Sequence, residues 1–285
     1  DPCNIAGYGD PDTGQCGSPK CTAGTANCCD VCSNGSNPIH TASGNKYQRE
    51  TDYVGTGLFP LHFERTYSSN RTGANQPVPM GTGWSHAYLG HLVAYPSSPG
   101  GAIDRVVAYR ADGRVLVFAL SGSTWQAAPD VPERLIAQTN GWQLTTPADE
   151  VETYDAEGRL TSIASREGYV QTLSYLDSGN HPRDQVRRVT DPQGHSLTFT
   201  YDAAGRLSQL TDANGQVIGY GYDAANNLAT VTYPTVGSGT VTRTYHYNET
   251  GQTSGASLPH ALTGIVDENN ARYARGAIPP TGAPT

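Results

Sequence analysis

The sequence predicts an all-β fold: an antiparallel meander of hairpins that forms a curled sheet or partial β-shell, preceded by a small disulfide-rich cap. Three observations predict it. A short Tyr-Asp turn phrase recurs along the chain, strands of alternating polarity are separated by Gly, Asn and Asp turns, and all six cysteines fall within the first 32 residues. No stretch has the apolar spacing of an amphipathic helix.

The recurring phrase has the consensus Tyr-Asp-x-x-Gly-Arg-Leu, and its copies begin at Tyr154, Tyr201 and Tyr222. Asp can cap its own backbone and Gly adopts a positive φ at little cost, so each copy predicts a hairpin turn. A full unit of turn, strand, Tyr-Asp turn and strand takes about twenty residues, which is typical of repeat arrays. We expect each repeat Arg to pair with a neighbouring Asp or to stack on a neighbouring Tyr. We assign structural roles in the turns to Tyr154, Asp155, Gly158, Arg159, Tyr201, Asp202, Gly205, Arg206, Tyr222 and Asp223.

Composition divides the chain into four segments. Residues 1–36 form the Cys-rich cap, and residues 37–105 form a β domain that precedes the repeats. Residues 106–275 form the repeat sheet, and residues 276–285 are a Pro/Gly tail. Only 4 Phe and 1 Met accompany 17 Tyr and 33 Gly, so we expect a thin core built on rows of Tyr and Leu in place of a thick sandwich.

The strands before the first full repeat follow from alternation and turn residues. Within the strand 61–67, Leu61, Phe63, Arg65 and Tyr67 share one face, because side chains alternate along a strand. The remaining predicted strands of this part are 45–53, 85–95, 105–109, 115–120, 134–138 and 141–145. The strand 85–95 would carry His86 and His91 on opposite faces, so these two could not chelate one ion.

The cysteines predict a cross-linked cap in an oxidising compartment. They are Cys3, Cys16, Cys21, Cys28, Cys29 and Cys32. An even, clustered set with none elsewhere is typical of a disulfide framework, for which roughly fifteen pairings are possible. A zinc site of Cys28, Cys29 and Cys32 with Cys16 or Cys21 remains the alternative.

Charge and termini bear on the partners and the compartment. A net charge of −8 argues against a basic nucleic-acid footprint, and no apolar run is long enough to span a membrane. The chain begins with Asp1, as expected of an exported protein whose leader has been removed, so we predict a secreted or extracellular protein. Asn34, Asn70 and Asn248 lie in glycosylation sequons.

Few residues are candidates for chemistry. Asp10 and Asp12 resemble a fragment of a calcium loop, although turn formation explains them without an ion. Ser85 and His86 are neighbours without a recognisable Asp partner, so a hydrolase is not expected. Trp125 and Trp142 could stack on sugars, but their placement favours cross-strand packing.

The Tyr-Asp phrase resembles the YD repeat of the RHS (rearrangement hotspot) and teneurin-like proteins. Upstream, three phrases resemble the domain that precedes the repeats in bacterial RHS and polymorphic-toxin proteins. They begin at Asn37-Pro-Ile-His, at Pro60-Leu-His-Phe and at Gly81-Thr-Gly-Trp. Together the two resemblances cover about residues 37–275. The family implies a large β-shell closed by a self-cleaving segment and followed by a toxin, and we expect neither of the last two in this sequence.

The sequence thus predicts a non-enzymatic, secreted structural protein without a cofactor. It would build a shell or polymerise through its sheet edges, with other copies or a downstream part of the same RHS protein as partners. The alternatives are a carbohydrate-binding adhesin or surface-display module, with glycans as partners, and the N-terminal part of a toxin-encapsulating RHS shell. An open sheet of few repeats leaves edges that must be covered or paired.

Overall fold

The described part of the protein, seen in a computed structural model, is an antiparallel meander of 21 strands in three sheets. The structure describes residues 39–40, 45–71, 79–176, 185–235 and 239–275. Within each sheet, every strand pairs with its neighbours in sequence, and none of the three sheets closes on itself among these residues. The one helical piece among the described residues is a 3-10 turn at Ser69–Arg71. The predicted all-β meander is therefore confirmed.

The pre-repeat sheet and the small sheet have four strands each, and the repeat sheet has thirteen. The pre-repeat sheet contains β1 (Ile39–His40), β2 (Asn45–Val54), β3 (His62–Ser68) and β4 (Trp84–His86). The small sheet contains β5 (His91–Pro96), β6 (Ile103–Tyr109), β7 (Val115–Ser121) and β8 (Thr124–Gln126). The repeat sheet contains β9 (Arg134–Gln138), β10 (Gly141–Thr145), β11 (Val151–Tyr154), β12 (Leu160–Ala164), β13 (Val170–Tyr175), β14 (Val186–Thr190), β15 (Ser196–Tyr201), β16 (Leu207–Thr211), β17 (Val217–Tyr222), β18 (Leu228–Pro234), β19 (Thr240–Tyr247), β20 (Leu262–Val266) and β21 (Arg272–Arg275).

The Tyr-Asp hairpins of the repeat sheet share one turn geometry, set by the sequence Asp-x-x-Gly-x. In the turn between β11 and β12, the amide of Gly158 donates to the Asp155 carbonyl at 3.0 Å, and the amide of Asp155 donates to the Arg159 carbonyl at 3.0 Å. Gly158 has a φ of +83°, which glycine adopts without the strain that a side chain would add. The Asn226 of the third copy takes φ +64°, because Asn tolerates the left-handed region.

Each repeat tyrosine lies at a β-bulge. The register shifts between residues 153 and 154, 200 and 201, 221 and 222, and 246 and 247. In the first of these, Thr153 pairs with Ser162 and Tyr154 with Leu160, so Thr161 is the extra residue. Its hydroxyl donates to the Thr153 carbonyl at 3.0 Å. Ser208 and Thr263 do the same at the second and fourth bulges. The hydroxyl thus satisfies a carbonyl that the interrupted ladder leaves free.

The core lies between layers, because the two four-stranded sheets cover one face of the repeat sheet. The pre-repeat sheet contributes Leu61, Phe63, Tyr67 and Trp84 to a cluster with buried side chains from β14 to β20. The small sheet packs its own buried side chains against β9 to β12. The expectation of a thin core without a second layer was wrong, since the residues before the repeats supply that layer.

One predicted strand differs from the structure. The predicted strand 85–95 is broken at residues 87–90, and its two halves are β4 and β5 in different sheets. His86 and His91 therefore belong to separate sheets, not to opposite faces of one strand. The expected limit between residues 105 and 106 falls inside β6.

Several predictions concern residues outside the described ranges. These are the six cysteines with their disulfide or zinc alternatives, the calcium candidates Asp10 and Asp12, and the tail 276–285. Among the described residues, no group of three or more His, Cys, Asp and Glu side chains is placed to hold a metal ion. Within those same ranges no helix has the length and apolarity needed to cross a bilayer.

Candidate functional site, a buried charge cluster between the sheets

An arginine-carboxylate pair lies fully buried where the pre-repeat sheet meets the repeat sheet. The Arg65 guanidinium donates from Nε to Asp52 Oδ2 at 2.5 Å and from Nη2 to Asp52 Oδ1 at 2.8 Å. Both side chains are 0% exposed. Arg65 points inward with Phe63 and Tyr67 because residues two apart on β3 share a face. Such a two-point contact fixes both the distance and the orientation of the pair.

Three tyrosines from successive repeat strands complete this charge cluster. Tyr220 of β17 and Tyr233 of β18 donate their hydroxyls to the two Asp52 oxygens at 2.8 and 2.6 Å. Tyr245 of β19 accepts a hydrogen bond from Arg65 Nη2 at 2.9 Å. The Trp84 ring also lies 5.0 Å from the guanidinium carbon, within cation-π range. One ion pair of the pre-repeat sheet thereby contacts three neighbouring strands of the repeat sheet.

The electrostatics of the charge cluster favour a permanent ion pair. Burial by itself would lower the pKa of Arg65, but the adjoining Asp52 carboxylate outweighs it, and the pKa is raised well above the ordinary value. Burial, with the Asp52 charge, raises the pKa of Tyr220 and Tyr233, so both phenols stay neutral. Because Arg65 stays charged and the phenols of Tyr220 and Tyr233 stay neutral near neutral pH, the cluster suits a structural role better than acid-base catalysis.

Further polar contacts join the same two sheets. The Trp84 indole donates to the Tyr247 hydroxyl at 2.8 Å, and the Tyr67 hydroxyl donates to the His260 carbonyl at 2.7 Å. Lys46 is buried and donates from Nζ to the Leu262 carbonyl at 2.5 Å. Burial, together with the charge of Arg272, lowers the pKa of Lys46 from 10.5 to about 8.

Backbone hydrogen bonds connect residues 79–92 to the repeat turns. Leu207 donates its amide to the Pro79 carbonyl at 2.6 Å, and Thr82 donates to the Asn226 carbonyl at 2.8 Å. At the first full repeat, the amide of Leu92 donates to the Gly158 carbonyl at 2.8 Å. A Cβ at position 158 would collide with the Leu92 carbonyl oxygen, so Gly158 serves this close approach as well as the turn.

The turn residues singled out from the sequence form a repeated clasp. Asp155 Oδ1 accepts from the Arg159 amide at 2.8 Å, and Oδ2 accepts from Arg159 Nε at 2.7 Å. Asp202 and Arg206 repeat this arrangement with both distances at 2.9 Å. In the third copy, Asn227 replaces Arg and donates its amide and its Nδ2 to Asp223 at 2.8 and 2.9 Å.

The tyrosines connect consecutive repeats. Tyr201 donates its hydroxyl to the Val186 carbonyl at 2.9 Å, Tyr222 to the Leu207 carbonyl at 2.7 Å, and Tyr247 to the Leu228 carbonyl at 2.8 Å. The Arg206 guanidinium also lies over the Tyr222 ring at 4.4 Å. Each hydroxyl therefore reaches the start of an earlier strand. Tyr154 differs, because its hydroxyl donates to Glu152 Oε2 at 2.6 Å.

The neighbouring Ser85 and His86 are enclosed in the core. Both are 0% exposed, and the imidazole stacks on Phe63 at 5.3 Å between ring centres. Burial, with the nearby Arg71 charge, lowers the pKa of His86 to about 3, so the ring is neutral. Ser85 Oγ has no hydrogen-bond partner among the described residues, which leaves it without a general base.

The two tryptophans considered for sugar binding meet each other edge to face at 5.2 Å between ring centres. Trp142 is only 8% exposed and belongs to the core cluster, whereas Trp125 is half-buried against it. A sugar-stacking platform needs an accessible ring face, and Trp142 offers none. This geometry is that of a packed aromatic pair.

Comparisons with known proteins match two parts of the chain. The model "Domain of unknown function (DUF6531)" matches residues 36–118, and the model "RHS Repeat" matches residues 181–217 and 202–235. A search of curated proteins found no match.

Solved structures give weaker similarity. The crystal structure of TcdB2-TccC3 has a TM-score of 0.31 and 13% identity over 87% of this chain and 16% of that chain. The crystal structure of TcdB2-TccC3-Cdc42 has a TM-score of 0.30 and 14% identity, over 87% of this chain and 15% of that chain. The structure of the Photorhabdus luminescens Tc holotoxin pore with the mutation TccC3-D651A has a TM-score of 0.29 and 13% identity, over 87% of this chain and 15% of that chain. The chain thus spans about 15% of the length of these structures, and scores of this size do not establish a shared overall fold.

The expected resemblance is confirmed over residues 36–118, which contain the three upstream phrases, and over residues 181–235, which contain the Tyr201 and Tyr222 copies of the repeat. The bulged tyrosines and Asp-x-x-Gly-x turns of the repeat sheet are the structural form of those repeats. This chain thus carries RHS repeats over residues 181–235, preceded by a DUF6531 domain over residues 36–118.

Proposed function

We propose that this chain is a non-enzymatic structural module that forms one end of the wall of a secreted RHS shell. In this proposal the repeat sheet is the wall, and the two four-stranded sheets close its inner face at the end where the wall starts. The observation that carries it is the buried Arg65–Asp52 pair, which contacts three successive repeat strands through Tyr220, Tyr233 and Tyr245.

Physical requirements of a shell support this reading. A wall of hairpins exposes an apolar row on its inner face, which is unfavourable in water unless something covers it. Here the row contains Val189, Leu197, Leu210 and Val231, and all four are buried by the layer from the pre-repeat part. An ion pair at the centre of that layer fixes how the layer is oriented on the wall. The RHS family implies a toxin as the enclosed cargo.

A second candidate is a polymer of this chain, joined through sheet edges. The terminal strands of the repeat sheet, β9 and β21, each have one neighbouring strand among the described residues. Open edges of this kind can pair with another copy unless they are protected. A glycan-binding adhesin lacks a comparable observation, because the Trp125–Trp142 pair is packed.

Native mass separates the two candidates. We expect light scattering of the full chain under non-reducing conditions to give discrete particles of the sequence mass, 30.2 kDa, and negative-stain images to show no filaments. Long regular polymers would contradict the wall-module proposal and favour edge-to-edge assembly. The dye ANS provides a second readout: an inner face that is covered binds little dye, whereas strong binding by the native chain would mean that the layer does not close it.

A further inference from the structure

Strand β7 is apolar on both of its faces, although one face has no covering layer among the described residues. Leu116 and Phe118 point into the core, whereas Val115 and Val117 are 50% and 48% exposed. A strand with one solvated face normally alternates apolar and polar residues. The exposed valines therefore indicate that something further packs on β7.

The backbone of the same two valines points away from the sheet. Arg110 donates to the Arg114 carbonyl at 2.9 Å, so residues 110 and 114 form a hydrogen-bonded pair at the start of the hairpin. Hydrogen-bonded and non-hydrogen-bonded pairs alternate along antiparallel strands. The pairs Tyr109–Val115 and Val107–Val117 are then non-hydrogen-bonded, and the N–H and C=O groups of both valines face the edge opposite β6.

That edge is open along half of β7. The neighbouring β8 pairs only with Ala119, Leu120 and Ser121. Residues 127–133 follow β8, contain Pro129 and Pro132, and make no backbone hydrogen bond to Val115 or Val117. Unpaired backbone together with apolar side chains on both faces is the pattern to which an extended segment adds as a further strand.

The size of the edge indicates what binds there. Four residues, Val115–Phe118, cannot bury the ~1,200 Å² found at the low end of stable interfaces between separate molecules. A tethered segment needs less contact area, because tethering replaces association by an intramolecular step at high effective concentration. A segment of the same chain therefore fits this edge better than a second copy.

The N-terminal segment joins the fold close to this edge. Ile39 pairs with Lys46, whose amide donates to Ser69 Oγ at 2.9 Å. Two residues later, Arg71 donates to the Arg110 carbonyl at 2.9 Å, in the turn that leads into β7. Thirty-eight residues precede Ile39, and an extended chain covers roughly 3.3 Å per residue, so this segment is long enough to reach Val117.

We propose that the N-terminal segment 1–38, which contains the Cys-rich residues 1–36, docks along the open edge of β7 and covers Val115 and Val117. An extended segment at this edge would pair with the N–H and C=O groups of Val115 and Val117 that face away from β6. The cross-links or metal site expected in this segment would stiffen it and lower the entropy lost on docking.

Photo-cross-linking in the full chain tests which segment occupies the edge of β7. With p-benzoylphenylalanine in place of Val117, we expect irradiation to cross-link residue 117 to a peptide within residues 1–38 of the same molecule. The matched control carries the probe in place of Thr232, on β18, and should give no such peptide. Cross-links between two copies, cross-links to another segment, or no cross-link at position 117 would each overturn the proposal.

Hydrogen exchange of the unmodified chain gives an independent test of pairing. The amides of Leu116 and Phe118 bond to β6 and serve as internal standards. If a segment is paired with the edge, the amides of Val115 and Val117 exchange within about tenfold of these standards. Exchange at Val115 and Val117 as fast as in an open turn would contradict the proposal, whatever the cross-linking shows.

Discussion

At the scale of single residues, stability depends on charges that are buried together with their partners. Arg65 and Asp52 lose all contact with water, and each would be strongly unfavourable without the other. The surrounding hydroxyls of Tyr220, Tyr233 and Tyr245 satisfy the remaining hydrogen-bonding positions of the carboxylate and of one guanidinium nitrogen. The pair therefore contributes more to fixing one arrangement of the two sheets than to the net stability of the fold.

Replacing one member of the Asp52–Arg65 pair should lower the free energy of unfolding far more than replacing both. We expect Asp52→Asn to lower the free energy of unfolding by about 3–5 kcal/mol, because the Arg65 charge then stays buried without compensation. The double variant Asp52→Leu with Arg65→Met should recover most of this loss. Urea unfolding measures both. A loss below ~1 kcal/mol for Asp52→Asn would mean that water reaches the site or that Arg65 leaves it.

Burial of Lys46 makes the free energy of unfolding depend on pH in the alkaline range. Its pKa is lowered from 10.5 to about 8 in the folded chain, chiefly by burial. Between these values the unfolded chain binds more protons than the folded one, so stability rises with pH in this window. We expect a gain of roughly 2 kcal/mol from pH 8 to pH 10 in the chain with Lys46 relative to Lys46→Met. Equal pH dependence of the two proteins in urea unfolding would show that Lys46 has its ordinary pKa.

At the scale of elements, the Asp-x-x-Gly-x turns both form hairpins and provide sites for docking. Asp155 and Arg159 form the clasp within one turn, and the same turn accepts the Leu92 amide of β5 at the Gly158 carbonyl. In the third copy, Asn227 forms the clasp with Asp223 and also donates from Nδ2 to the Pro259 carbonyl at 3.0 Å. The departure from the consensus thus adds a contact that Arg at this position does not make in the other copies.

Substitutions of two glycines in equivalent turns can distinguish the role of a turn in forming a hairpin from its role as a docking site. Gly158 and Gly168 have φ values of +83° and +86°, but a Cβ would meet the Leu92 carbonyl oxygen only at Gly158 and nothing within 4 Å at Gly168. We expect Gly168→Ala to cost about 1 kcal/mol of unfolding free energy from backbone strain alone. Gly158→Ala should cost at least ~2 kcal/mol more, because β5 is displaced. Equal costs in urea unfolding would argue against docking of β5 on this turn.

At the scale of the whole molecule, we expect the pre-repeat sheet and the repeat sheet to fold as one unit, because they share one core cluster. The cluster that contains Trp84 and Phe63 continues into Leu197 and Val231 of the repeat sheet without a gap. The apolar faces of the layers are buried only against each other, so separating them would expose both. We infer that the pre-repeat sheet has little stability apart from the repeats.

Trp84 can report on this coupling once the other two tryptophans are replaced. In the variant Trp125→Phe with Trp142→Phe, Trp84 is the single tryptophan and lies at the interface between the layers. We expect its fluorescence and the far-UV circular dichroism of the sheets to follow the same urea transition. A fluorescence transition at lower urea would mean that the pre-repeat sheet separates before the repeats unfold.

The strands and turns could be predicted from the sequence because their causes are local. Alternation placed Leu61, Phe63, Arg65 and Tyr67 on one face of the predicted strand 61–67, and all four are buried. The strands 134–138 and 141–145 coincide with β9 and β10. The break between His86 and His91 was missed, because the run Ala87-Tyr-Leu-Gly90 keeps the composition of a strand while the chain turns to enter another sheet.

The sequence by itself determined the all-β class, the repeat and its turns, since each depends on residues within a few positions of one another. Only the tertiary structure decided which face of the repeat sheet is covered and by what. Asp52 and Arg65 are polar residues in separate strands, and Arg65 meets Tyr245, which lies 180 positions further along the chain. Their pairing depends on the desolvation of all these groups together, which no local pattern in the sequence records.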